Sequence, residues 1–191
     1  MSAAHHDDHE KTLFGFWVYL ITDFMLFGSL FAVYIVLQGN LFGGPSSKEL
    51  FSLPFATIQS VVMLLTAFTA GMSSHMAHQR KRGATLGYMA VTWIYAAVVL
   101  ARLFQEFIAF TSQGYGWQVS GFLSAYYSLN GMFALHLIFG LIWTTLLLFL
   151  LYQRGFNDVC LRRISCLKMF WQFLNIVWIF IYSIVYVLGV F

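Results

Sequence analysis

GFLSAYYSLNGMFALHLIFGLIWTTLLLFLLY, residues 121–152, runs for 32 positions without one Asp, Glu, Lys or Arg. About 20 apolar residues in helical form already cross the roughly 30 Å hydrocarbon core of a bilayer, so this stretch reads as a membrane span. Working outward, residues 13–37, 55–76, 85–110 and 169–190 meet the same criterion. Composition agrees. The chain of 191 residues is 60% hydrophobic, 19% aromatic and 9% charged, against about a quarter charged in a soluble domain. The expectation is an all-α integral membrane bundle of five transmembrane helices, formed by one domain at 13–191 behind a tail at 1–12. Chemistry then has to sit between helices or in a partner.

Charge distribution predicts the threading. Lys11, the group Arg80, Lys81 and Arg82, and the group Arg154, Arg162, Arg163 and Lys168 flank alternate span ends, so eight of ten cations share one face. Only Lys48 lies on the other, with Arg102 inside the third span. The positive-inside rule puts the eight in the cytoplasm, with the N-terminus, and the C-terminus on the opposite, periplasmic side. The first span is too long for a signal peptide and has an acidic, His-rich flank, so it is expected to stay attached. Loop chemistry marks the boundaries, with Gly and Pro at 39–45 and Pro54 after the first span. Cys160 and Cys166 stand in one expected loop at 153–168 and support neither a disulfide framework nor a metal knuckle.

Span association in lipid depends on close packing through small residues. Thr66, Ala70 and Ser74 form one stripe, with Ala67 and Gly71 beside it. Ser120, Ser124 and Ser128 form another. Both predict helix contacts.

The polar groups inside the spans are few. Asp23 lies roughly 15 Å along the first span and His136 roughly 23 Å along the fourth, which runs the other way, so both fall near midplane. Each is costly alone in lipid, and a shared hydrogen bond or proton between them is the expected remedy. A neutral structural acid and a proton relay are the two readings of Asp23; a solitary helix-contact histidine is the second reading of His136. Arg102 and Glu106, four apart on the third span, are expected to form an ion pair or to contact a partner chain or lipid. Asn130, Gln172 and Asn175 are expected to hydrogen-bond between helices. His5, His6 and His9 with Asp7, Asp8 and Glu10 form a flexible, solvated tract rather than a metal site. No haem or copper ligand set, activated nucleophile or phosphate-cradling loop is visible, so no catalytic residue and no metal are predicted for this chain.

The segments TLFGFWVYLITD (12–23), GGP (43–45) followed by LPF (53–55), SGFLSA (120–125), LH (135–136) and VW (177–178) together resemble subunit 3 of the haem-copper oxidases. The resemblance runs from Lys11 to the end. Five spans and the GGP loop favour the quinol branch, the five-helix subunit 3 of the cytochrome bo-type ubiquinol oxidase. It implies a non-catalytic accessory subunit of a proton-pumping terminal oxidase in the bacterial inner membrane. Such a subunit packs on catalytic subunit 1, which holds the haems and copper, supports its stability and proton uptake, and binds phospholipid. Asp23 is similar to the family's buried acid in this helix, which is carbodiimide-reactive as Glu in seven-helix relatives. Glu106 is similar to a Glu near the end of the next-but-one helix, and His136 to the second histidine of a His-Gly-Leu-His segment. Phe133 stands where that segment has its first histidine, and Gln172 and Asn175 stand where a Trp-His-Phe-x-Asp motif has His and Asp. Neutral groups replace titratable ones, which favours a scaffold with a structural acid. The reading from a different class is an independent small ion or solute transporter using Asp23, Arg102, Glu106 and His136.

Overall fold

The computed structural model describes residues 2–41, 43, 45, 47–50 and 53–190, the side chains of 2–10, 48, 49 and 190 excepted. The His5–Glu10 tract and Lys48 therefore lie outside the described side chains. The order is α1 (Ser2–Leu37), a short α2 (Ser47–Leu50), α3 (Leu53–His78), α4 (Arg82–Ser112), α5 (Gly121–Arg154) and α6 (Asp158–Ile181). A π-helical segment, Tyr182–Val187, carries α6 into the short α7 (Leu188–Val190). Five helices are long and apolar enough to span a bilayer, and the described residues contain no strand.

Local chemistry explains the ends. Ser120 caps α5 by accepting the Leu123 N–H at 3.1 Å, satisfying one of the donors that a helix start leaves unpaired. Gly114, at φ +82°, ends α4, with the Tyr115 N–H bonded to the Phe110 carbonyl at 2.9 Å; glycine takes this left-handed position without steric cost. Arg80 holds the equivalent position after α3 at φ +55°. The turn 79–81 is consequently tight and brings the start of α4 beside the end of α5, where the Arg82 guanidinium donates to the Tyr152 carbonyl.

Two boundaries differ from the sequence expectation: α1 starts at Ser2 rather than near residue 13, so the backbone of the expected flexible tail is helical. The fifth long helix, α6, starts at Asp158, not near residue 169, so Cys160, Arg162, Arg163, Cys166 and Lys168 are helical rather than in a loop. The first turns are amphipathic: Ile164, Cys166 and Leu167 are buried while Arg163 is exposed. Their apolar stripe docks on the bundle, and Asp158 in the first turn suits the positive end of the helix dipole. Windows of mean hydropathy miss such a stripe because its cations lower the average.

α3 and α4 pack through small residues. Thr66, Ala70 and Ser74 are buried on α3, and Thr92 on α4 donates to Thr69 at 2.9 Å. The serines of α5 behave otherwise: Ser120 is the helix cap, and Ser128 is exposed and bonds the Ser124 carbonyl of its own helix at 2.8 Å. Of that expected stripe Ser120 is buried, Ser124 half-buried and Ser128 exposed. The core gathers around α6, where Phe170, Trp171, Trp178 and Ile181 have no exposed surface. α1 packs on α5 and α6.

Arg80 and Asp158 tie the α3–α4 turn to α6 with an N–O distance of 3.3 Å, but both side chains are more than half exposed. Asp158→Asn should change thermal stability by less than about 1 kcal/mol, since exposed pairs lose most of their attraction to solvent screening. A loss of several kcal/mol in thermal unfolding would show that a partner or lipid buries this turn.

Candidate functional site

Two polar groups of the bundle stand at different depths. The deeper joins α1 to α5: Asp23 and His136 are 8% and 7% exposed, and His136 Nε2 lies 3.6 Å from Asp23 Oδ2. That is slightly beyond a hydrogen bond, and Asp23 Oδ2 has no hydrogen-bond partner among the described residues. His136 Nδ1 is 2.9 Å from the Met132 carbonyl oxygen. A carbonyl only accepts, so Nδ1 carries hydrogen, and in the neutral ring Nε2 presents its lone pair to the carboxyl. A proton placed between Nε2 and Oδ2 would satisfy both groups. The surroundings are aromatic: the Phe27 ring centroid lies 5.1 Å from that of His136, and Phe170 stacks at 6.5 Å with an 18° tilt. Such walls leave the pair little access to water.

The second group lies near the Ser112 end of α4. Arg102 and Glu106 share a face, but their hydrogen bonds diverge. Arg102 Nη1 donates to Gln105 at 3.2 Å, with its guanidinium carbon 5.2 Å from the Phe55 ring centroid. Glu106 accepts from the Tyr186 hydroxyl at 3.1 and 3.3 Å. Base before acid is the weaker order for an i, i+4 pair, and the π-helical register of 182–187 supplies a phenol as the nearer partner. The expected direct ion pair is replaced by these two sets of contacts. Tyr126, with no exposed surface, places its hydroxyl 3.5 Å from that of Tyr186.

Among the described residues the expected amide contacts between helices are not formed. Asn130 donates to the Tyr126 carbonyl of its own helix at 3.2 Å, Gln172 is exposed, and the Oδ1 atoms of Asn130 and Asn175 are buried without a hydrogen-bond partner among the described residues. Hydroxyls and indoles link the helices instead. Trp178 donates to Ser60 at 2.9 Å, Trp171 to Thr144 at 3.3 Å, Trp93 to Thr145 at 3.0 Å, and Thr57 and Tyr182 pair at 3.0 Å. The available signal was residue type, because a buried Trp or Tyr needs a partner for its polar end.

At the basic end, a groove of about 530 Å³ between α1, α5 and α6 is lined by Phe16, Tyr19, Trp143, Arg162 and Arg163. It adjoins an apolar groove of about 570 Å³ that shares Phe16, Tyr19 and Trp143. His75 and His78 are held locally, by Gln79 at 2.9 Å and the Ser74 carbonyl at 2.8 Å. Among the described residues no three His, Cys, Asp or Glu converge. The polar geometry can hold a proton and a few hydrogen bonds.

No protein-family model matches the chain. Curated relatives do. It is 40% identical to the cytochrome bo(3) ubiquinol oxidase subunit 3 of Pseudomonas putida, over 97% of this chain and 89% of that protein. The Pseudomonas aeruginosa protein of the same name is 38% identical over 96% and 88%, and that of Buchnera aphidicola 33% over 94% and 92%. At that identity over nearly its whole length, the chain belongs to the subunit 3 family of the quinol oxidases.

Proposed function

We propose that the chain is a non-catalytic accessory subunit of a proton-pumping terminal oxidase, which oxidises quinol and reduces oxygen to water. Near-complete coverage of oxidase subunit 3 chains carries this reading. The haems and copper belong to catalytic subunit 1, against which this subunit packs, stabilising it and supporting its proton uptake. The bundle sits in the bacterial inner membrane with its basic end and N-terminus in the cytoplasm, because Lys11, Arg80, Lys81, Arg82, Arg154, Arg162, Arg163 and Lys168 cluster there. The Arg162–Arg163 groove suits an anionic phospholipid head, with its chains along Phe16 and Trp143.

Affinity purification of the tagged chain in mild detergent tests the assembly. Haem and copper carried by larger co-purifying chains are the expected result. A lone chain that moves ions or solute in liposomes would contradict it.

Asp23 and His136 act here as a structural pair that holds one proton at midplane. Asp23→Asn keeps a neutral hydrogen-bonding group and is expected to leave oxygen reduction within about twofold, less than 1 kcal/mol in the barrier. Infrared difference spectroscopy during turnover checks the role. A carboxyl band that appears in the parent and is lost in Asp23→Asn would make the pair a relay instead.

A further inference from the structure

At the end of the bundle away from the basic cluster, two joined cavities of about 270 Å³ each open between α3, α4 and the π-helical segment. They share Phe55, Gln59 and Arg102. The first adds Gln105, Glu106 and Tyr186; the second continues past Ile58, Val62 and Val98 and is apolar.

Depth decides what kind of molecule fits. α4 has 31 residues, so its length of about 46 Å exceeds the hydrocarbon core by about 8 Å at each end when centred. Glu106 lies six residues from Ser112, about 9 Å along the axis, at the boundary between hydrocarbon and head groups. Arg102 is rooted one turn deeper, and its guanidinium reaches back toward that boundary, over Phe55 near the start of α3 and to Gln105.

The charges are incompletely matched. Among the described residues the Arg102 guanidinium meets a neutral amide and an aromatic ring but no carboxylate within 4.0 Å. Gln59 Nε2 is buried without an acceptor among the described residues. Glu106 receives the Tyr186 hydroxyl and also bonds that of Tyr126, and its two oxygens keep accepting capacity beyond these two phenols at the border of the cavity. A crevice with unmatched donors on one side, an acid on the other and an apolar channel leading inward complements an amphiphile with a zwitterionic head.

We propose that this crevice binds the head of an aminophospholipid, with its phosphate on Arg102 and Gln59, its primary ammonium on Glu106 and one acyl chain in the apolar channel. The site lies at the opposite end from the Arg162–Arg163 groove and has a different preference. Guanidinium matches phosphate geometry, and only a primary ammonium offers N–H donors to the acid. In the orientation proposed above the crevice faces the outer leaflet, and nothing else in the proposal depends on that orientation.

The test uses the purified complex containing this chain, depleted of lipid and exchanged into bilayer nanodiscs of phosphatidylethanolamine, phosphatidylcholine or phosphatidylglycerol. Native mass spectrometry then counts the retained lipid. Phosphatidylethanolamine should be retained about tenfold better than the other two, and Arg102→Met and Glu106→Gln should each remove about that factor, the worth of one charge-assisted hydrogen bond. Haem content should not change. Equal retention of all three lipids, or variants that retain as the parent does, would mean a boundary lipid only and overturn the proposal. Loss of haem from Arg102→Met would make the face a protein contact, and exclusive retention of a quinol would assign the crevice to another ligand; both overturn it too. A parent chain that brings down no haem would end the accessory-subunit reading, while the lipid comparison on that same sample still decides this one.

Discussion

Trp178→Ala will destabilise the bundle by about 3–5 kcal/mol, the cost typical of deleting a fully buried indole. Trp178 has no exposed surface, and its ring centroid lies 5.3 Å from that of Phe133 and 6.1 Å from that of Tyr186. In lipid the loss is mainly of packing contacts, since hydrocarbon tails are as apolar as the residues removed. The indole N–H also donates to Ser60 on α3 at 2.9 Å. Trp178→Phe separates the two effects: it keeps most of the ring and should cost about 1 kcal/mol for the hydrogen bond plus a small cavity term. Thermal unfolding in detergent reads both. A Trp178→Ala loss below 1 kcal/mol would mean that α6 does not organise the core.

Gly140→Ala should destabilise by about 1–3 kcal/mol even though alanine is the better helix former. A Cβ on Gly140 would stand 2.9 Å from Phe170 Cε1 and 3.1 Å from two Trp171 ring carbons, so these buried rings or the helix that carries them must shift. The Thr144 hydroxyl donates to the Gly140 carbonyl at 2.7 Å and accepts from Trp171 at 3.3 Å, so the same shift strains that link. Phe170 stacks on His136, and the change therefore propagates to the Asp23 pair. Gly131→Ala, on the same helix with nothing within 4 Å of the added methyl, is the contrast. It should stabilise by up to about 1 kcal/mol through helix propensity alone. Opposite signs at two glycines of one helix, measured by thermal unfolding, would locate the close contact; equal signs would deny it.

Spans were legible because a bilayer imposes length and composition, and the uncharged run 121–152 leaves no other structure for α5. The height match of Asp23 and His136 was also legible, since helical rise and chain direction convert residue number into depth. Rotation about each helix axis was not, and it decided the other polar groups. Arg102 and Glu106 share a face by spacing, yet only the π-helical register of Tyr182–Val187 places the Tyr186 phenol nearer to the acid. Asn130 and Asn175 looked like interhelical ties by residue type, whereas Thr and Ser opposite indoles supply them. The start of α6 was missed for a different reason: Arg162, Arg163 and Lys168 dilute a buried stripe that mean hydropathy does not resolve.

The role proposed for this chain is to lend structure, not electron chemistry, to a larger neighbour. Separating the purified oxidase into its chains and measuring visible spectra and metal content on each is the most direct test. Haem and copper should follow the larger chain, with less than about a tenth of either on this one, because several convergent ligands are needed to hold them. Haem or copper that stays with this chain after separation would contradict the account.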